Sequence, residues 1–105
     1  MATPNIVPRA DSEGGLGTAS KYWAAAYIDA ITTTGNINLP DDAKVIVGTG
    51  GDGEIYSGGL HLTIANVTSN ADILFKGNDG GSTITALALD MSDAGAATFN
   101  GAVTV

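Results

Sequence analysis

Residues Gly48-Thr49-Gly50-Gly51-Asp52-Gly53 spell G-x-G-x-x-G after the apolar run Lys44–Val47, and Asp72 lies about where a ribose-binding acid belongs. Dinucleotide chemistry requires a helix to start at the third glycine, so that its amides and dipole meet the pyrophosphate. The chain continues instead as Glu54-Ile55-Tyr56-Ser57-Gly58-Gly59, a strand-then-turn pattern, so the motif reads as a glycine-rich loop between strands. Asp41, Asp42, Asp52, Glu54, Asp79, Asp90 and Asp93 offer oxygen ligands suited to calcium, yet neither EF-hand offsets nor glycine-aspartate β-roll repeats occur. Most of these aspartates neighbour glycine or alanine in turn-like sequence, where a carboxylate bonds nearby backbone. His61, the sole histidine, falls between Leu60 and Leu62 with no acid beside it, and reads as a strand residue rather than a general base. Asp41 and Asp42 make no glycosidase dyad, because adjacent residues of an extended chain face opposite ways. There is no cysteine, no serine in a nucleophile-elbow context and no metal-ligand spacing. Asn66-Val67-Thr68 matches a glycosylation acceptor without a secretory signal beside it. No catalytic residue, metal or cofactor is therefore expected, and the chain is not read as an enzyme. The remaining chemistry is aromatic: Tyr22, Trp23 and Tyr27 form either a small hydrophobic plug, a partner-docking hot spot or a sugar platform.

The elements available to position such groups are short. The chain has 105 residues, a formal net charge of −7, fifteen glycines and no cysteine. Much of its 44% hydrophobic content is alanine, which buries little area per residue. With a thin core and no disulfide, self-association is the expected source of stability. Nucleic acid is excluded as a partner, because Arg9, Lys21, Lys44 and Lys76 are few and scattered within an acidic chain. No run approaches the roughly 18 apolar residues of a membrane span, so no membrane insertion is expected. The opening Met1-Ala2-Thr3-Pro4-Asn5 lacks the basic and apolar regions of a signal peptide, and synthesis and assembly in a cytoplasm are expected.

Three zones differ in texture. Met1 to Gly17 is rich in Pro, Gly and small polar residues, with Pro4 and Pro8 bracketing Ile6-Val7, and reads as an arm. In Thr18 to Ile31, Ser20 is placed to cap one helical turn at Lys21–Ala25, leading into a strand at Ala26–Ile31. From Thr32 to Val105, strand-length segments recur between turn residues. They are Asn36–Leu39, Lys44–Val47, Glu54–Tyr56, Leu60–Ile64, Ile73–Phe75, Thr83–Leu89, Thr98–Phe99 and Ala102–Val105. The fold class is thus mainly β. Residues 1–31 form an arm with an aromatic plug, and residues 32–105 a β-rich, shaft-like region. Each apolar face is narrow, so three intertwined chains are expected to bury them as an elongated β-prism or β-sandwich-like trimer; a monomeric β-sandwich has similar spacing.

Leu16-Gly17-Thr18-Ala19-Ser20-Lys21-Tyr22-Trp23, running into Tyr27-Ile28-Asp29-Ala30-Ile31, resembles an element of many bacteriophage tail-fibre and tail-spike proteins. Asp42-Ala43-Lys44-Val45-Ile46-Val47-Gly48, Asp52-Gly53-Glu54-Ile55-Tyr56, Asp72-Ile73-Leu74-Phe75-Lys76, Leu87-Ala88-Leu89-Asp90 and Ala97 to Val105 resemble the shaft repeats of phage fibres, in the same order. The likeness covers most of the chain from Leu16 onward. It departs at Ser57-Gly58-Gly59, where such repeats often carry Asp-Gly or His-Asp-Gly.

The resemblance implies attachment. The chain would be the virion-proximal part of a longer homotrimeric fibre, located in the virion and reaching the host surface through a distal part. Residues 1–31 would be its virion-anchoring zone, docked on other tail or capsid proteins. Apolar and aromatic side chains give a static interface its affinity, which makes Ile6, Val7, Leu16, Trp23 and Tyr27 the candidate anchors. A trimeric capsid decoration or head-fibre protein is the alternative within the structural class. A small carbohydrate-binding module is the alternative outside it, with exposed aromatics on a monomer.

Overall fold

A computed structural model of the chain describes residues 2–105. Two compact units are present, Met1–Asn36 and Ile37–Val105. The second contains six strands: β1 (Lys44–Val47), β2 (Gly53–Gly58), β3 (His61–Asn66), β4 (Ile73–Asp79), β5 (Ser82–Asp90) and β6 (Ala96–Phe99). They form two three-stranded antiparallel sheets, β1-β2-β3 and β4-β5-β6, so the chain is mainly β as expected.

Turn chemistry sets the registers. The pairs Gly58↔His61 and Asp79↔Ser82 leave two-residue loops, Gly59-Leu60 and Gly80-Gly81. Both Gly80 and Gly81 have positive φ (59° and 101°), as the twist-matched hairpin turn demands. Chain entry into β1 is a turn closed by the Ala43 N–H on the Pro40 carbonyl, with Asp42 at φ 65°. The G-x-G-x-x-G stretch is a loop whose last glycine opens β2, and no helix succeeds it. A Cβ on Gly48 (φ 92°) would lie 2.5 Å from Asp52 Oδ2, so only glycine fits there. Asp52 in turn accepts the Thr68 hydroxyl at 2.8 Å, while its carbonyl takes the Val67 N–H at 2.7 Å.

The second sheet carries a bulge. Phe75 pairs with Leu87 but Lys76 pairs with Thr85, leaving Ala86 as the extra residue of β5. The Ala86 carbonyl accepts the Asn100 N–H at 3.0 Å, which ties down the chain just beyond β6. Between β5 and β6, Met91–Asp93 forms a single 3-10 turn capped by Asp90, whose Oδ1 accepts Ser92 N, Ser92 Oγ and Asp93 N.

Some expectations do not hold. Lys21–Ala25 is not helical and Ala26–Ile31 is not a strand. The Ser20 cap does not form; Thr18 Oγ1 instead accepts the amides of Ser20 and Lys21. A segment this short cannot offset helix nucleation without an apolar surface to pack on, and a strand without a ladder leaves its backbone groups unpaired. Asn36–Leu39 and Ala102–Val105 likewise find no strand partner within the chain. Leu60 belongs to a hairpin loop, not to β3.

The sheets have sharply sided faces. Directly opposed residues share a face, so Val45, Ile55 and Ile64 form one apolar row across the first sheet, with Val47 and Leu62 beside it. Lys44, Ile46, Glu54, Tyr56, His61, Thr63 and Ala65 occupy its other face. On the second sheet Ile73, Phe75, Leu87, Leu89, Ala97 and Phe99 share a face. Yet no apolar side chain among the described residues is buried. The chain exposes 9493 Å², whereas a folded monomer of 10.4 kDa exposes about 5,400 Å².

Candidate docking surface

The candidate anchors lie in the unit Met1–Asn36. There the chain doubles back on itself: Glu13 donates its N–H to the Ala10 carbonyl at 3.3 Å, with Ser12 and Gly14 at positive φ. Arg9 and Glu13 clamp this bend. The guanidinium gives Nε to Oε2 at 3.0 Å and Nη2 to Oε1, a two-pronged pairing that raises the Arg9 pKa further. The bend brings Ile6, Val7 and Pro8 opposite Gly14, Gly15 and Leu16, and together they line an open groove of about 530 Å³. Three of the five candidate anchors therefore converge on one apolar surface.

Trp23 belongs to a neighbouring feature built on a tight turn. Thr18 and Lys21 exchange backbone hydrogen bonds, Thr18 N to Lys21 O at 3.0 Å and Lys21 N to Thr18 O at 3.3 Å. The Tyr22 hydroxyl donates to the Ala19 carbonyl at 2.8 Å and pins its ring beside the turn. Gly17 (φ 85°) is required, because a Cβ there would meet the Lys21 carbonyl at 3.0 Å and face the Trp23 ring. Gly17, Thr18, Lys21, Tyr22 and Trp23 line a second cleft, of about 350 Å³. Its walls combine two rings with one ammonium group. Tyr27 lines neither recess and stands 98% exposed.

Several of the other residues with chemical potential make structural contacts. Glu54 accepts Lys44 Nζ at 2.8 Å, and that ammonium also sits 4.7 Å from the centre of the Tyr56 ring. The Glu54 contact raises the Lys44 pKa. Asp72 Oδ1 accepts the Met91 N–H at 3.1 Å, and Asp90 is held below the ordinary carboxyl pKa, first by the Ser92 hydroxyl and then by the Ser92 and Asp93 amides. Asn66 gives its side-chain amide to the Asp72 carbonyl at 3.0 Å and accepts the Thr68 N–H, so the glycosylation-type tripeptide is a loop staple. His61 is exposed on the polar face of β3. Among the described residues no group of three or more His, Asp or Glu side chains converges as cation ligands would.

Reasoning from sequence missed the parts that make the groove: the Arg9–Glu13 clamp and the lining by Pro8, Gly14 and Gly15. An Arg and a Glu four residues apart, with paired glycines directly after, was the signal available. Compared with known protein families, with curated proteins and with solved structures, the chain matches none.

Proposed function

We propose that this chain is a viral structural protein, the virion-proximal part of a trimeric bacteriophage tail fibre. Residues 1–31 dock on the particle, and residues 32–105 begin the attachment shaft, their sheets intertwined with those of two further copies. The observation that carries this reading is the pair of apolar sheet faces on which, among the described residues, no side chain is fully buried. Such faces are stable only when other copies cover them, and a closed homotrimer does so without leaving sheet edges open. The groove at Ile6, Val7 and Leu16 and the cleft at Trp23 supply the apolar and aromatic contacts of a static docking interface. The tail-fibre-like order of motifs from Leu16 onward supports the viral setting.

The test is gold labelling of intact virions with antibody raised against the chain. Label on tail appendages is the expected result. Label spread over the head replaces the tail fibre with a capsid decoration protein, and label on no particle removes both. A carbohydrate-binding module predicts a stable monomer that retains glycans on an array.

A further inference from the structure

We infer that the copies meet first through one specific face of the first sheet, the one carrying Val45, Val47, Ile55, Leu62 and Ile64. The inference rests on the oligomeric assembly proposed above and names its contact surface; the occupant is a second copy of this chain.

In a sheet packed by its own chain, apolar residues are covered and polar ones face water. Two strands of the first sheet reverse that order, while β1 is exposed on both faces. On β2 and β3 the residues Glu54, Tyr56, Thr63 and Ala65 are half-buried, while Ile55, Leu62 and Ile64 on the opposite face are exposed. Lys44 bridges Glu54 and lies over Tyr56, which covers part of the polar face. Val45, Ile55 and Ile64 on the opposite row are 45%, 43% and 55% exposed. Gly53 keeps that face flat at one corner, since a Cβ there would fall 2.6 Å from Val47 Cγ2. The second sheet is less open, because Ile73, Leu87 and Leu89 on its apolar face are already half-buried.

The area fits this occupant. The chain exposes 9493 Å², about 4,000 Å² beyond a folded monomer of its mass. That excess belongs to the chain as a whole, and permanent interfaces between identical subunits bury roughly 2,000–5,000 Å² summed over both partners, so each copy has surface enough for such a contact. The face also carries no charge, so a copy bearing net −7 can place it against another without bringing carboxylates together.

The chain contains no cysteine, so a single introduced thiol reports proximity without background. Ile64→Cys and Ile46→Cys place that thiol on opposite faces of the same sheet, at positions 55% and 59% exposed. The full-length variants are first checked by light scattering for the wild-type mass and then oxidised mildly. Ile64→Cys is expected to form covalent dimers at least tenfold faster than Ile46→Cys. Equal rates, faster linking from Ile46→Cys, or a monomeric wild-type chain overturns the inference. As a second measure, Ile64→Glu is expected to shift the chain to monomer while Ile46→Glu keeps the wild-type mass; an unchanged mass for Ile64→Glu overturns it. An oligomer linked through Ile64→Cys whose antibody labels no virion removes the tail-fibre reading and leaves this interface standing.

Discussion

At the scale of single residues, the chain depends on a few positions where only one side chain fits. Gly48 is the clearest, because both its φ of 92° and the Asp52 carboxylate 2.5 Å from a notional Cβ exclude any other residue. Gly48→Ala is expected to destabilise the assembly by about 1–3 kcal/mol, read as a lower thermal midpoint at fixed chain concentration. Under the proposed docking role, Trp23 is the corresponding position. Its ring walls a cleft with Tyr22 and Lys21, whereas Tyr27 projects into solvent. Trp23→Ala should therefore lower incorporation into virions at least tenfold, equivalent to about 1.4 kcal/mol or more, and leave the oligomeric mass unchanged. Residue identity made part of this legible. An apolar pair between prolines and a lone tryptophan marked candidate anchors, but the bend that gathers Ile6, Val7 and Leu16 into one recess depends on positive φ at Ser12 and Gly14. Serine carries no signal for that conformation.

At the scale of elements, glycine, asparagine and aspartate punctuated the sequence well enough to locate all six strands, and β1 runs from Lys44 to Val47 as expected. What punctuation could not reveal was pairing beyond the apolar residues. Lys76-Gly77-Asn78-Asp79 carries no hydrophobic alternation, yet it extends β4 because the Gly80-Gly81 turn aligns it with Ser82–Thr85. The 3-10 turn was missed for a similar reason: it is held by the Asp90 carboxylate, which read only as a generic turn acid. That cap has a pH dependence of known sign. Asp90 has a folded-state pKa lowered from the ordinary 3.8, so its contribution is present above the unfolded value and disappears as pH falls through the lowered one. The exchange protection of the Ser92 and Asp93 amides, relative to their intrinsic rates, should fall on acidification below about pH 4 more than that of neighbouring turns, and Asp90→Ala should remove that difference. The same turn ends on Ala94 in the left-handed region, φ 54° and ψ 27°. Ala94→Gly is expected to stabilise by about 0.5–1 kcal/mol, measured by thermal unfolding.

At the scale of the whole molecule, thin composition and absent cysteine pointed to self-association, and the proposed assembly would cover sheet faces on which no apolar side chain among the described residues is buried. Three copies have a mass of about 31 kDa and carry roughly −21 charges, so their mutual repulsion is screened by salt. Thermal midpoint should rise both with chain concentration and with ionic strength from about 10 mM to 150 mM, and a midpoint independent of concentration would contradict an assembly of copies. The inverted first sheet has one more consequence, which concerns time rather than energy. A newly made chain displays the Val45-Ile55-Ile64 row to everything around it until partners arrive. During that interval it is substrate for proteases and chaperones, and once joined it is not. Under the proposed assembly, survival of the chain in the cell therefore selects for joined copies over solitary ones.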